Sequence, residues 1–281
     1  MSEKSAVESG SPLQVGLFRT RPAIAEQWWT PVISMEYQTH SAHNIAFTSC
    51  GLGIVIGSGL ALLFISGWTY VGVVGVYMAM VALYHMLEYL CVALYNPTRI
   101  ELDSFMFNPD GENLYPVTLA VSLVEYIAEC WMNCSSSGSS GGPGAIAVVG
   151  LFVATAGQVI RTLAMVTAKS SFNHIIADRR ENDHTLITHG IYSYERHPSY
   201  VGFFLWAVGL QVMLRNPISC FLFVAALSYF FIRRVNYEER TLKILFGQEY
   251  DHYMRRTPTC IPKIDLKSLR VLSSDSTDAT D

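Results

Sequence analysis

The stretch 199–232 decides the fold: SYVGFFLWAVGLQVML (199–214), then Arg215-Asn216, then PISCFLFVAALSYFFI (217–232). Each run is shorter than the roughly 20 apolar residues that a membrane-spanning helix needs. Together they fit a tight hairpin, because proline is well placed in a helix's first turn and poorly placed in its interior. Two membrane helices turning at Asn216-Pro217 bring the flanking sequences to one membrane face. Before the hairpin come His184-Thr185-Leu186-Ile187, Gly190-Ile191-Tyr192 and Arg196-His197-Pro198-Ser199-Tyr200; after it comes Arg233-Arg234-Val235-Asn236-Tyr237-Glu238-Glu239-Arg240. Ionisable groups gathered at a bilayer edge are costly to desolvate, so such a gathering points to a functional site.

Outward from the hairpin the chain stays apolar in blocks, near 45–66, 69–95, 114–133 and 144–168, each long enough to span. The composition agrees: 51% hydrophobic residues, 15% charged and a mean hydropathy of +0.28, against about 25% charged in soluble domains. The expected fold is all-α, a polytopic membrane helix bundle of six or more spans with no Rossmann domain. The expected organisation is an N-terminal tail and juxtamembrane segment (1–43), one membrane-embedded catalytic domain (44–262) and a disordered C-terminal tail (263–281). A net charge of −4 gives no attraction for a polyanion, so nucleic acid is not an expected partner.

Residues 1–43 hold no compact apolar run after a basic start, so no secretory signal is expected. With six spans and a cytosolic N-terminus, the cytosolic segments 1–43, 96–113, 169–197 and 233–281 hold 17 of the 19 Lys and Arg residues. That asymmetry follows the positive-inside rule and sets both polar clusters on the cytosolic face. The Ser/Gly run at 135–144 then reads as a flexible connector on the far side. Six scattered cysteines without a C-x-x-C pair suggest neither disulfides nor a zinc site. After the hairpin, a cytosolic helix is expected from about 233 to 256, interrupted at Gly247.

Gly51-x-Gly53-x-x-x-Gly57 has the wrong spacing and setting for a dinucleotide fingerprint, and Gly53-x-x-x-Gly57 reads as close helix packing in lipid. His85 and Glu88 share a helical face, either as a hydrogen-bonded pair or as a substrate-lining pair. Arg161, the strongly basic residue inside an apolar block, either snorkels to the interface or stays in the bundle to fork-bind a carboxylate. His197, Ser199 and Tyr200 project from a helix start whose dipole suits an anionic group. Arg234 and Glu238 are spaced for i,i+4 pairing.

These residues resemble the isoprenylcysteine carboxyl methyltransferase family. The resemblance is carried by Gly190-Ile191-Tyr192, by 196–202, by Asn216-Pro217, by Glu238-Glu239, and by Phe246-Gly247 with Glu249-Tyr250 and Tyr253. Leu87-Glu88-Tyr89, Asn96-Pro97, Asp103-Ser104-Phe105, Phe172-Asn173-His174 and His184-Thr185-Leu186 add to it. The shorter Arg-His-Pro-x-Tyr and Glu-Glu pattern is shared with membrane phospholipid methyltransferases and sterol reductases, which are the alternative readings, and a non-catalytic membrane scaffold is a third. The resemblance implies an endoplasmic reticulum enzyme that transfers methyl from S-adenosylmethionine to the C-terminal carboxylate of a prenylated cysteine in CaaX-processed proteins, with membrane lipid around it and the site facing the cytosol. It implies cofactor contacts at His184, Thr185, Leu186, Ile187, Tyr192, His197, Pro198, Ser199, Tyr200 and Glu238. It implies that Arg234 holds the substrate carboxylate, with Arg161 as a second partner, and that no metal takes part. Animal members often carry two further N-terminal spans, which residues 1–43 do not show.

Overall fold

The computed structural model describes residues 42–97, 100–107, 114–136, 143–174 and 185–261. The expected tails at 1–43 and 263–281 lie, but for residues 42 and 43, outside the described residues, as does most of the connector at 135–144. Among the described residues the regular structure is entirely helical: α1 (Ala42–Ser66), α2 (Tyr70–Tyr95), α3 (Leu114–Ser136), α4 (Gly144–Ala168), α5 (Pro198–Leu214), α6 (Pro217–Phe246) and α7 (Gln248–Arg256). Helices α1 to α6 fall on the six apolar blocks. Four of them (α1, α2, α4 and α6) are long and apolar enough to cross a membrane by length and composition, and α5 is a shorter apolar helix.

The hairpin forms with a proline in the first turn of both α5 and α6. Arg215 takes a left-handed conformation (φ +62°) to end α5, and Asn216 holds the turn by donating to Ser122 O (2.7 Å) and Gln211 Oε1 (3.2 Å). The start of α6 is capped from another helix: both carboxylate oxygens of Glu125 on α3 accept backbone N–H groups, from Ile218 and Ser219, at 2.8 Å each. A carboxylate at a helix N-terminus satisfies orphan donors and complements the dipole.

The boundary expected after the sixth apolar block is absent. Helix α6 runs unbroken for 30 residues from Pro217 to Phe246, a length of about 45 Å at 1.5 Å per residue. A hydrocarbon core is about 30 Å thick, so α6 carries its own polar end, 233–246, out of the apolar layer. The helix periodicity simply continues through Arg233-Arg234, since neither residue disfavours helix. Only Gly247, at φ +53°, breaks it, and α7 then turns away.

The close-packing glycines also differ from expectation. A Cβ on Gly53 or Gly57 would meet nothing within 4 Å. The near contacts of α1 are made instead by Gly59, whose Cβ would lie 2.3 Å from Gly75 O on α2. Helices α4 and α5 approach as closely: a Cβ on Gly157 would lie 2.3 Å from Trp206 N and one on Gly202 would lie 2.5 Å from Arg161 N. Small residues allow backbones to approach where lipid offers no hydrophobic drive for association. The seven-residue spacings Gly150–Gly157 and Gly202–Gly209 keep this seam on one face of each helix. The seam brings Arg161 against the first turn of α5. Beside it, Tyr84 and Trp206 stack at 4.3 Å within a core that includes Val73, Tyr77, Leu210 and Met213.

Candidate active site at the polar end of the bundle

Four elements converge at one end of the bundle: the last turns of α2 and α4, the first turn of α5 and the polar half of α6. At the deepest level lies Arg161, paired with Glu88. Its Nε and Nη2 donate to the two carboxylate oxygens of Glu88, the Nη2 bond being 2.7 Å long. Its Nη1 donates to Ser199 Oγ (3.0 Å) and Ser199 O (3.3 Å). The Tyr84 and Phe203 rings flank the guanidinium, with centroids 5.6 and 5.4 Å away. Arg161 therefore does not snorkel. It is 5% exposed and Glu88 is 0% exposed, and a bidentate fork is the geometry that keeps such a pair tolerable away from water. His85 and Glu88 turn to different partners: His85 Nδ1 donates to Phe105 O (2.7 Å), which folds the segment Leu102–Phe105 back on α2, while Glu88 faces Arg161.

One turn outward lies a second array, centred on Tyr200. Its hydroxyl donates to Glu238 Oε2 (2.6 Å) and accepts from Arg234 Nε (2.9 Å). Tyr200 thus sits between Arg234 and Glu238, which sequence spacing alone would have paired directly. Arg234 Nη2 also donates to the backbone carbonyl of His174, and its guanidinium lies over the Tyr200 and Phe230 rings. His197, just before Pro198, stacks parallel to Tyr200 with centroids 5.7 Å apart. Its Nδ1 lies 3.6 Å from Glu238 Oε2 and its Nε2 lies 3.4 Å from Glu239 Oε1. Glu238 and Arg234 are half-buried, so this array is accessible where the Glu88–Arg161 pair is not.

A frame of charged groups holds the array in place. Arg196 Nη1 donates to Met254 O and Thr257 O (both 3.1 Å) at the end of α7, where a cation complements the helix dipole. Its Nη2 pairs with Glu239 Oε1 at 2.8 Å. Glu195 accepts from His197 N (3.2 Å) and Cys260 N (2.7 Å), tying the segment after α7 to the start of α5. Tyr253 donates to Tyr192 O (2.6 Å), and burial pushes the Tyr253 and Tyr192 phenols up, so both stay protonated. Adjacent acids in α6 thus divide: Glu239 is buried in the frame, and Glu238 faces the array.

Of the expected site residues, the structure joins His197, Tyr200, Arg234 and Glu238 by direct contacts, with Pro198 and Ser199 in the same helical turn. Arg161 reaches this turn through Ser199. Tyr192 connects through its carbonyl, and Leu186 packs on Phe246, Tyr250 and Tyr253. Thr185 Oγ1 lies 3.3 Å from Ser171 Oγ, and Ile187 follows on the same strand of loop. His184 lies outside the described residues. Sequence reasoning passed over Arg196, Glu195, Glu239 and His174 as members of the site. The signal for the first three was present as charges flanking the assigned positions, but their targets are backbone groups and acids that only the fold brings near.

His174 has a consequence for stability. Burial pulls its imidazole pKa down to about 4, with Arg161 and Arg234 acting in the same sense and Glu88 against them. It is therefore neutral at pH 7, and the 3.6 Å approach of its Nε2 to Glu88 Oε2 is a dipolar contact there rather than an ion pair. A histidine with a depressed folded-state pKa takes up its proton more readily when unfolded, so its contribution is complete above about pH 6.5 and is lost as pH falls toward 4. His174→Gln is expected to flatten the fall in thermal unfolding midpoint between pH 6.5 and about 4.5, the window set by those two pKa values. An unchanged slope in scans of both proteins across that window would contradict it.

Known proteins share the sequence pattern and the fold of this chain. The sequence pattern of the isoprenylcysteine carboxyl methyltransferase family matches residues 148–244, which run from α4 through the polar half of α6. Human protein-S-isoprenylcysteine O-methyltransferase is 38% identical over 232 residues, covering 80% of this chain and 78% of the human protein. The enzyme of the same name from Schizosaccharomyces pombe is 35% identical over 238 residues, covering 79% and 95% of the two chains. A solved structure of the eukaryotic intramembrane Ras methyltransferase, an isoprenylcysteine carboxyl methyltransferase, superposes with a TM-score of 0.71 at 34% identity, over 78% of this chain and 76% of that one. A shared helix order, an identity above one third across most of both chains, and a polar array inside the matched segment lead to one conclusion: the chain belongs to the isoprenylcysteine carboxyl methyltransferase family.

Proposed function

We propose that this membrane enzyme esterifies the C-terminal carboxylate of a prenylated cysteine with methyl from S-adenosylmethionine, acting on CaaX-processed proteins at the cytosolic face of the endoplasmic reticulum. Residues 44–262 form the catalytic unit. The observation that carries the reading is the linked set Arg234–Tyr200–Glu238–His197, half-exposed at the end of an apolar hairpin in a chain of this family.

A cysteine α-carboxylate has a pKa of about 3.5, so it is ionised at neutral pH and needs no general base. The tasks left to the protein are positioning and exclusion of water, and favourable positioning can lower a barrier by about 7–11 kcal/mol. S-adenosylmethionine, when bound, supplies an activated methyl group on a cationic sulfur. The residues present fit such a group: the Glu238 carboxylate and the stacked aromatic faces of His197 and Tyr200, with Tyr192 and Leu186 both in contact with Tyr253. Glu238 orients Tyr200 by accepting its hydrogen bond, and the Tyr200 hydroxyl in turn accepts from Arg234 Nε. Arg234 is the group proposed to take the substrate carboxylate, at the level where α6 leaves the apolar layer. A prenyl chain lying in that layer gains about 0.8 kcal/mol per buried CH₂.

The deciding experiment is transfer of radiolabelled methyl from S-adenosylmethionine to N-acetyl-farnesylcysteine by the purified full chain in lipid nanodiscs. The expected result is a base-labile ester on the prenylated compound and none on N-acetylcysteine. No transfer to either compound, or transfer to a phospholipid instead, would overturn the reading.

A further inference from the structure

Two arginines lie within one helical turn of the same site, yet they are occupied very differently. Arg161 has five N–H groups, of which two point at Glu88 and two at Ser199, so no second carboxylate can take it in bidentate fashion. Arg234 donates through Nε to Tyr200 and through Nη2 to the His174 carbonyl, and its Nη1 has no hydrogen-bond partner among the described residues. Ser199 and Tyr200 are adjacent on α5, and His174 links the two sites: its carbonyl accepts from Arg234, and its Nε2 lies 3.6 Å from Glu88.

Without a counter-charge, Arg161 would be the stronger anion trap. It is the more buried of the two, and attraction between charges rises as the local dielectric falls. A carboxylate caught there would be drawn inward toward Ser199, away from the outer array, and held too firmly to act as a nucleophile.

We infer that Glu88 is a positioning residue that keeps the Arg161 fork filled, so that the substrate carboxylate goes to Arg234. Glu88 touches no substrate atom; it selects which arginine does. The same carboxylate aims Arg161 Nη1 at Ser199 and so fixes the first turn of α5, from which Tyr200 projects. This inference rests on the proposed function, and its test separates the two.

The test measures steady-state methyl transfer by full-length wild type and Glu88→Ala in nanodiscs, with N-acetyl-farnesylcysteine varied and sodium formate added as a free carboxylate. In Glu88→Ala, kcat should fall about tenfold or more while KM for the prenylcysteine stays level or drops, the pattern of a tightly held but misplaced ground state. Formate should restore kcat in the variant by refilling the fork and leave wild type unchanged. An unaltered kcat, a KM that rises while kcat holds, or a loss that formate does not repair would each overturn the inference. If Glu88→Ala does not fold, Glu88→Met with Arg161→Met removes both charges together, a change that buried ion pairs often tolerate. KM in that double variant should remain within about threefold of wild type because Arg234 carries the carboxylate, and a rise of about tenfold or more would overturn the inference. If wild type itself transfers no methyl to the prenylcysteine, the proposed function fails; if wild type turns over and the variants depart from these outcomes, only the role of Glu88 fails.

Discussion

Arg234→Ala should lower kcat/KM for a prenylated cysteine by about 10²–10³-fold, within the 2–5 kcal/mol or so lost when one partner of a desolvated, hydrogen-bonded charge pair is truncated. The fold should survive. Arg234 is half-buried and, among the described residues, is paired directly with no carboxylate and makes two hydrogen bonds, while the buried cluster around Trp206 and Leu210 lies elsewhere. The effect should fall mainly on KM, because the substrate carboxylate carries full charge before reaction and shares it with the incoming methyl during it. Its arginine contact is strongest in the ground state, so much of the lost energy is uniform binding. Arg234→Lys should recover little. Lysine keeps the charge but has no planar fork to satisfy Tyr200 and the His174 carbonyl and still present an edge to a carboxylate. Paired measurements of kcat/KM and of thermal unfolding in nanodiscs check this. Wild-type KM in Arg234→Ala would remove Arg234 from the substrate site.

The architecture was legible because its signals are local. Six apolar blocks, the prolines at 198 and 217, and the lopsided placement of Lys and Arg give helices, a hairpin and a polar end without any knowledge of contacts. What escaped depends on helix phase and on distance in the chain. The glycines that matter are those facing a neighbour. Gly53 and Gly57 match a packing motif in spacing, yet their faces are open, while Gly157 and Gly202 match no short motif and bring α4 and α5 together. The helix break expected near 232 is absent because two arginines end the apolar run in composition but do not interrupt the backbone helix. At the site, the Arg-His-Pro-x-Tyr and Glu-Glu clusters were visible as sequence, but the division of labour within them was not. Glu238 and Glu239 are neighbours in the chain and about 100° apart around α6, so one meets Tyr200 and the other meets Arg196. The partner of Arg161 lies 73 residues away on α2, and no periodicity in either block marks that the two would meet.

The Glu88–Arg161 pair should behave in the opposite way to Arg234. Arg161→Met leaves the Glu88 carboxylate at 0% exposure with its fork gone, and stripping one partner from a buried pair costs about 3–5 kcal/mol. That is a large part of the 5–15 kcal/mol or so that holds a typical domain together, so the variant should show a sharply lowered unfolding midpoint and a low yield of folded protein. The remaining contacts of Glu88 do not offset the loss, since His174 lies 3.6 Å away and is neutral at pH 7. Activity should fall as well, through release of Ser199 and the first turn of α5. Arg234→Ala loses substrate affinity at constant stability, whereas Arg161→Met loses activity and stability together. An Arg161→Met protein that melts with wild type would show that Glu88 finds another partner, and the pair would then cease to be the post on which the α2–α4–α5 end of the bundle is built.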